Sequence, residues 1–118
     1  MVNSREKGKR YERHVAGLFK SEGYEARRGQ QYCGSNGDAD VVGVKGLHIE
    51  CKHQERMQLY EWMSQAKSDA RGGEVPVVIH RKNNCADLVT MEFSEWIKLY
   101  RAWEADVPWQ VQKVWRKE

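Results

Sequence analysis

At 118 residues, 31% charged and 40% hydrophobic, the chain can bury one core but is too short to join a catalytic domain to a separate specificity domain. The composition is that of a globular rather than a disordered chain, and no apolar run approaches the roughly 20 residues of a membrane-spanning helix. The net charge of +3 is modest, but the cations cluster at Arg5, Lys7, Lys9, Arg10 and Arg13, at Arg27-Arg28, at Arg81-Lys82 and at Arg116-Lys117, a distribution suited to phosphate contact.

The first ten residues are polar and lack the apolar segment of a signal peptide, which predicts an intracellular, cytoplasmic protein. Residues 4 to 21 are expected to form a helix. Ser4 is read as its N-cap, and Lys7 rather than Glu at the third helical position leaves the capping box incomplete. Tyr11, Val15, Leu18 and Phe19 supply one apolar stripe, and Gly23 ends the helix.

A short strand is expected over Tyr24 to Arg28, followed by a glycine-rich loop from Gln30 to Gly37. Residues Asp40 to Val44 and Leu47 to Lys52 read as a β-hairpin. A second amphipathic helix is predicted from Met57 to Arg71, marked by Leu59, Met63, Ala66 and Ala70 and closed by Gly72-Gly73. The continuous apolar run in Val75 to His80 reads as a central buried strand, and Leu88 to Met91 as another strand. A last helix is expected from Ser94, its cap, to Trp103. The order predicts an α/β fold with helices flanking a central mixed sheet, in one domain spanning 1–118, with 105–118 as a packing or dimer-contact tail.

The three cysteines, Cys33, Cys51 and Cys85, are widely spaced and contain no C-x-x-C pair. They read as free thiols, with Cys51 a buried strand residue. A structural metal site built from them and the histidines lacks ligand spacing.

The hairpin carries the chemistry. A two-residue Lys45-Gly46 turn places Asp40 opposite Cys51. A three-residue loop, Val44-Lys45-Gly46, places Asp40 opposite Glu50 and puts glycine where that loop needs a left-handed residue. In the second register Asp40, Val42, His48, Glu50 and Lys52 share one face, while Val41, Gly43, Leu47, Ile49 and Cys51 share the other. Facing Cβ atoms lie about 4.5–5.5 Å apart, and two carboxylates so placed repel unless a cation lies between them. Hard oxygen ligands suit Mg²⁺ or Mn²⁺. Lys52, projecting to the same side, is positioned to stabilise negative charge on a phosphate under attack.

Three segments, Lys7-Gly8-Lys9-Arg10-Tyr11-Glu12-Arg13, Gly37-Asp38-Ala39-Asp40-Val41-Val42 and Ile49-Glu50-Cys51-Lys52, resemble the PD-(D/E)xK nuclease superfamily. Within it, the likeness is to the archaeal-type Holliday-junction resolvases and related small phage endonucleases. The resemblance implies a restriction-endonuclease-like sandwich and a Mg²⁺-dependent endonuclease, with Mn²⁺ able to substitute. It implies metal binding by Asp40, Glu50, Glu12 and the backbone carbonyl of Cys51, and catalysis by Asp40, Glu50, Lys52 and Glu12. Gln65 resembles the glutamine that many members carry after the lysine. Ala39 stands where the motif has proline, and Asp38 offers a second acid two residues before Asp40.

The expected DNA contacts are Lys7, Lys9, Arg10, Arg13, Arg27, Arg28, Ser35, Arg81 and Lys82. His48 and His53 lie near the site and read as structural or exposed residues. Trp96, Tyr100, Trp103, Trp109 and Trp115 are expected in the core or at a dimer contact. The resemblance further implies branched DNA as substrate, a role in DNA recombination, a homodimer, and a phage or prophage origin. The rivals are a nicking, repair or phage-type nuclease without junction selectivity, and a non-catalytic DNA-binding module.

Overall fold

Asn3, not Ser4, caps the first helix. Its extended backbone precedes α1 (Ser4–Ser21), and its side-chain oxygen accepts from the N–H groups of Arg5 at 3.0 Å and Glu6 at 3.3 Å. Asparagine and serine are comparable caps, and the one-residue shift makes Glu6 rather than Lys7 the third helical residue, in the first turn where the helix end is partly positive. The computed structural model describes residues 3–30 and 39–106. The expectations placed on Cys33, Ser35, Asp38, Trp109, Trp115, Arg116 and Lys117 lie outside the described residues.

α1 buries Tyr11, Val15 and Ala16, with Phe19 partly buried. Leu18, expected in the same stripe, is 41% exposed, because Ala16 takes the inward position instead. Beyond the helix, β1 (Arg27–Arg28), β2 (Val41–Val42), β3 (Leu47–His53), β4 (Val75–Arg81) and β5 (Leu88–Thr90) form one sheet in chain order. β3 and β4 are parallel and all other neighbours are antiparallel. The parallel pair is joined through α2 (Leu59–Asp69), as a crossover connection requires.

The sheet is covered on both faces. Val41, Ile49, Cys51, Val77 and Ile79 pack with Tyr11, Val15 and Ala16 of α1. Val78 points the other way, onto Trp62, Met63 and Ala66 of α2. Residues 77 to 80 of β4 are therefore all buried, as its unbroken apolar run predicts. His80 belongs to this interior: Nε2 lies 2.7 Å from the Thr90 hydroxyl, the ring packs beside Trp62, and burial lowers its pKa.

α2 is shorter than the expected 57 to 71. Ala70 turns extended at its end, and the following turn is held by the Arg71 N–H donating to the Glu74 carboxylate at 2.9 Å. α3 (Phe93–Asp106) starts before Ser94, because the Glu92 carbonyl accepts from both Glu95 and Trp96. Ser94 is thus inside the helix rather than its cap. α3 buries no residue. Of the two placements expected for Trp96, Tyr100 and Trp103, the core is not the one found: their rings neighbour one another along the helix with centroids 5.5 and 5.6 Å apart. Helical spacing alone brings them together, without a core to fill. No helix among the described residues is long and apolar enough to cross a membrane.

The hairpin has the three-residue register. Val41 pairs with Ile49, the Asp40 N–H donates to the Ile49 carbonyl at 2.9 Å, and Gly46 has φ +88°. Gly43 also has positive φ, +96°, and a Cβ there would run into the Glu25 carbonyl. Gly46 has open space around it. Gly46→Ala should therefore cost only left-handed strain, about 1–2 kcal/mol, whereas Gly43→Ala adds a backbone collision and should cost at least twice as much in denaturant unfolding. Equal losses would show that the approach of Gly43 to the Glu25 carbonyl is not tight.

Candidate active site

Strand alternation and the hairpin register assemble the site. Asp40 immediately precedes β2, and Glu50 and Lys52 project from the same face of β3. With the Val41–Ile49 pairing, Asp40 falls opposite Glu50. The Cys51 N–H donates to Asp40 Oδ2 at 2.8 Å and fixes that carboxyl. α1 contributes Glu12, whose Oε1 accepts from Arg28 Nε at 2.7 Å. These residues line a cleft of about 540 Å³ with Ser4, Lys7, Gly8 and His53.

The electrostatics are those of crowded negative charge. Burial, then the Glu50 charge and the hydrogen bond between the two carboxyls, push the Asp40 pKa up to about 7. Burial likewise raises Glu50 and Glu12, and Lys52 opposes the rise at all three carboxyls. The Cys51 thiol is pushed up by burial and by Asp40, so it stays protonated and is no nucleophile.

Behind Glu50 lies a support that strand patterning only half discloses. His48 is 4% exposed, and its Nε2 lies 2.8 Å from Glu50 Oε1. Its Nδ1 is 3.7 Å from Glu74 Oε1. His48, Glu50 and Asp69 bring one donor atom each within 4.8 Å of one another. Gln65 donates to Asp69 Oδ2 at 2.8 Å, so it touches this support rather than Lys52. His48 was legible as a residue two before Glu50 on the same face. Asp69 and Glu74 come from α2 and the turn after it, and carry no local signal.

Two donor sets thus share Glu50. The set of Asp40, Glu50 and Glu12 is all oxygen, opens on the cleft, and carries excess negative charge, which fits a hard divalent cation. The set with His48 offers an imidazole already spent on Glu50. A ligand oriented by a second hydrogen-bonding residue is the usual arrangement around a metal.

The cations expected to meet DNA divide. Lys7 lines the cleft, and Arg10 and Arg81 line a neighbouring cavity. Arg13, Arg27 and Lys82 are exposed, and Lys9 is 3.9 Å from Glu6. Arg28 is tied to Glu12, so its charge serves the site before it serves a phosphate.

A family model described as "Phage putative PDDEXK endonuclease" matches residues 3–118. No curated protein and no solved structure matches the chain.

Because folding raises the Asp40 pKa above its ordinary 3.8, the folded chain holds a proton that the unfolded chain has released. Metal-free stability should therefore fall as pH rises from about 4 to 7 and stay low above that. Asp40→Asn keeps the acceptor for the Cys51 N–H and removes the charge. It should raise the metal-free Tm at pH 8 by roughly 5 °C, with the gain shrinking towards pH 5 in calorimetry. An unchanged or lower Tm at pH 8 would rule out the crowding.

Proposed function

For a chain that belongs to the phage PDDEXK endonuclease family, and so to the PD-(D/E)xK superfamily, we propose a Mg²⁺-dependent DNA endonuclease that uses Asp40, Glu50, Glu12 and Lys52. The observation that carries this reading is the buried contact of the Asp40 and Glu50 carboxyls, with the Lys52 ammonium beside them. Nucleases of this superfamily generally use a divalent metal. Asp40, Glu50, Glu12 and the Cys51 carbonyl would hold it, and Mn²⁺ should substitute because it accepts the same oxygen donors.

A bound divalent cation supplies the charge that polarises a phosphodiester and acidifies water. The protein's own groups do the positioning. The Cys51 N–H and His48 hold Asp40 and Glu50, and Arg28 holds Glu12. Lys52 offsets the negative charge that grows on the phosphoryl oxygens as water attacks phosphorus and a P–O ester bond breaks. Gln65 acts indirectly, through Asp69.

The small fold and its cation clusters favour recognition of backbone and shape over base edges. A four-way junction is the branched substrate we propose, cut by a two-fold dimer with one cleft on each of two equivalent strands. The exposed Phe93, Trp96 and Leu99 of α3 offer apolar surface for such a pairing.

Labelled linear, nicked, flap and four-way DNA should be cut with Mg²⁺ or Mn²⁺ and not in EDTA. Asp40→Ala and Lys52→Ala should each slow cleavage by about 100-fold or more while changing binding little. Cleavage surviving in EDTA or in Asp40→Ala would overturn the mechanism. Paired symmetric cuts in four-way DNA support junction selectivity, and indifference to structure removes it. His48→Ala should weaken metal binding about 10–100-fold and raise the Mg²⁺ needed for half-maximal rate. The rate at saturating Mg²⁺ should recover, and His48→Gln should restore part of the affinity. A loss that added metal does not rescue would assign His48 to folding alone.

A further inference from the structure

On α1, Lys7, Arg10, Tyr11 and His14 follow the i, i+3, i+4, i+7 spacing of one helix stripe. A neighbouring stripe, Ser4, Gly8 and Glu12, faces the active-site cleft. The first stripe closes over the ends of β3 and β4, where His53 and Arg81 are register partners. Together with Asn83 these residues enclose a second cavity of about 440 Å³. Lys7 and His53 line both cavities, so the two adjoin.

The cavity is cationic. Lys7, Arg10 and Arg81 make no ion pair among the described residues. The nearby carboxylates are bonded elsewhere: Glu55 accepts from the Asn83 N–H at 2.7 Å, and Asp87 accepts from the Tyr11 hydroxyl at 2.8 Å and lies 3.0 Å from His14 Nε2. Burial alone would raise the Asp87 pKa, but the bonds from His14 and Tyr11, with the His14 and Arg81 charges, hold it below the usual range. Arg81 Nε and His53 Nε2 are buried with no hydrogen-bond partner among the described residues. Buried polar atoms are rarely left so, and each carries a desolvation cost that a hydrogen-bonding partner relieves.

The ligand this wall would take is an anion and not a base. Tyr11 is the ring at the wall, and it is already occupied. Arg81 lies 5.5 Å from its centroid, with His14 and His53 at 5.7 and 5.3 Å. Tyr11 is itself only 2% exposed, so it offers little face for stacking. A phosphate suits three cations and buried nitrogens.

Resting on the nuclease reading of the adjoining cleft, we propose that this cavity seats a second phosphate of the DNA strand being cut. It thereby sets which phosphodiester of that strand reaches Asp40 and Glu50. The second contact acts as a ruler: the phosphate held by Lys7, Arg10 and Arg81 lies at a fixed number of nucleotides from the scissile one.

The test is cleavage interference with single methylphosphonates, each removing one backbone charge. In the wild type, a neutral phosphate should suppress the cut at itself and at one fixed offset. In Arg81→Gln, and in the exposed and structurally safer Arg10→Gln, suppression at that offset should vanish, while DNA affinity falls about tenfold at low salt. Suppression at no fixed offset, or suppression unchanged in both variants, overturns the proposal. If the chain cuts nothing, the nuclease reading fails, and binding still decides the cavity. The slope of log affinity against log salt should then drop by about one in each variant and not in Arg101→Gln on α3. An unchanged slope refutes phosphate binding. Tight binding of inorganic phosphate that both variants abolish, with DNA affinity untouched, would assign the cavity to a free anion instead.

Discussion

Two like charges held in contact, partly out of water, are the constraint around which this molecule is organised. Asp40 and Glu50 sit opposite each other because the hairpin turns through three residues, and the turn does so because Gly46 accepts a left-handed backbone. The carboxyls cannot separate without breaking strand pairing. Nor can they both ionise cheaply at neutral pH without a cation, and burial sharpens the conflict. The fold thus stores, between its second and third strands, an electrostatic demand that an added positive charge relieves.

Around that pair, each carboxyl is fixed by one hydrogen-bonding partner. A backbone N–H of β3 holds Asp40, buried His48 holds Glu50, and Arg28 of β1 holds Glu12 of α1. The arrangement limits side-chain motion where two carboxylates would otherwise swing apart, which is how a site keeps ligand geometry before the ligand binds. It also explains why some cations that look available for DNA are not. Arg28 is spent inside the site, whereas Lys7, Arg10 and Arg81 are in no ion pair among the described residues.

α1 is the wall common to both cavities. Its buried stripe of Tyr11, Val15 and Ala16 anchors it to the sheet, and the Tyr11–Asp87 bond ties it to the segment before β5. The exposed stripes on either side are then held at fixed distance from the strand ends. α3 makes the opposite use of aromatic residues. Its rings stack on one another along the helix and leave apolar area at the surface, so aromatic content by itself was no guide to the core.

Local rules determined a good deal. Period-two alternation and the glycine in the loop were enough to choose the hairpin register, and with it the Asp40–Glu50 pairing and the shared face of Lys52. Apolar spacing located α1 and the doubly covered strand β4, although cap and end positions moved by one to three residues where a neighbouring carbonyl or side chain offered a better bond. Tertiary structure alone decided the partners: Arg28 for Glu12, Asp69 and Glu74 behind His48, and Arg81 beside His53 under α1. These contacts join residues far apart in the chain, and no periodicity encodes them. Sequence determines which groups a strand or helix presents on one face, because that follows from backbone geometry. What faces them is set by how the elements stack, because burial of the whole core chooses that packing.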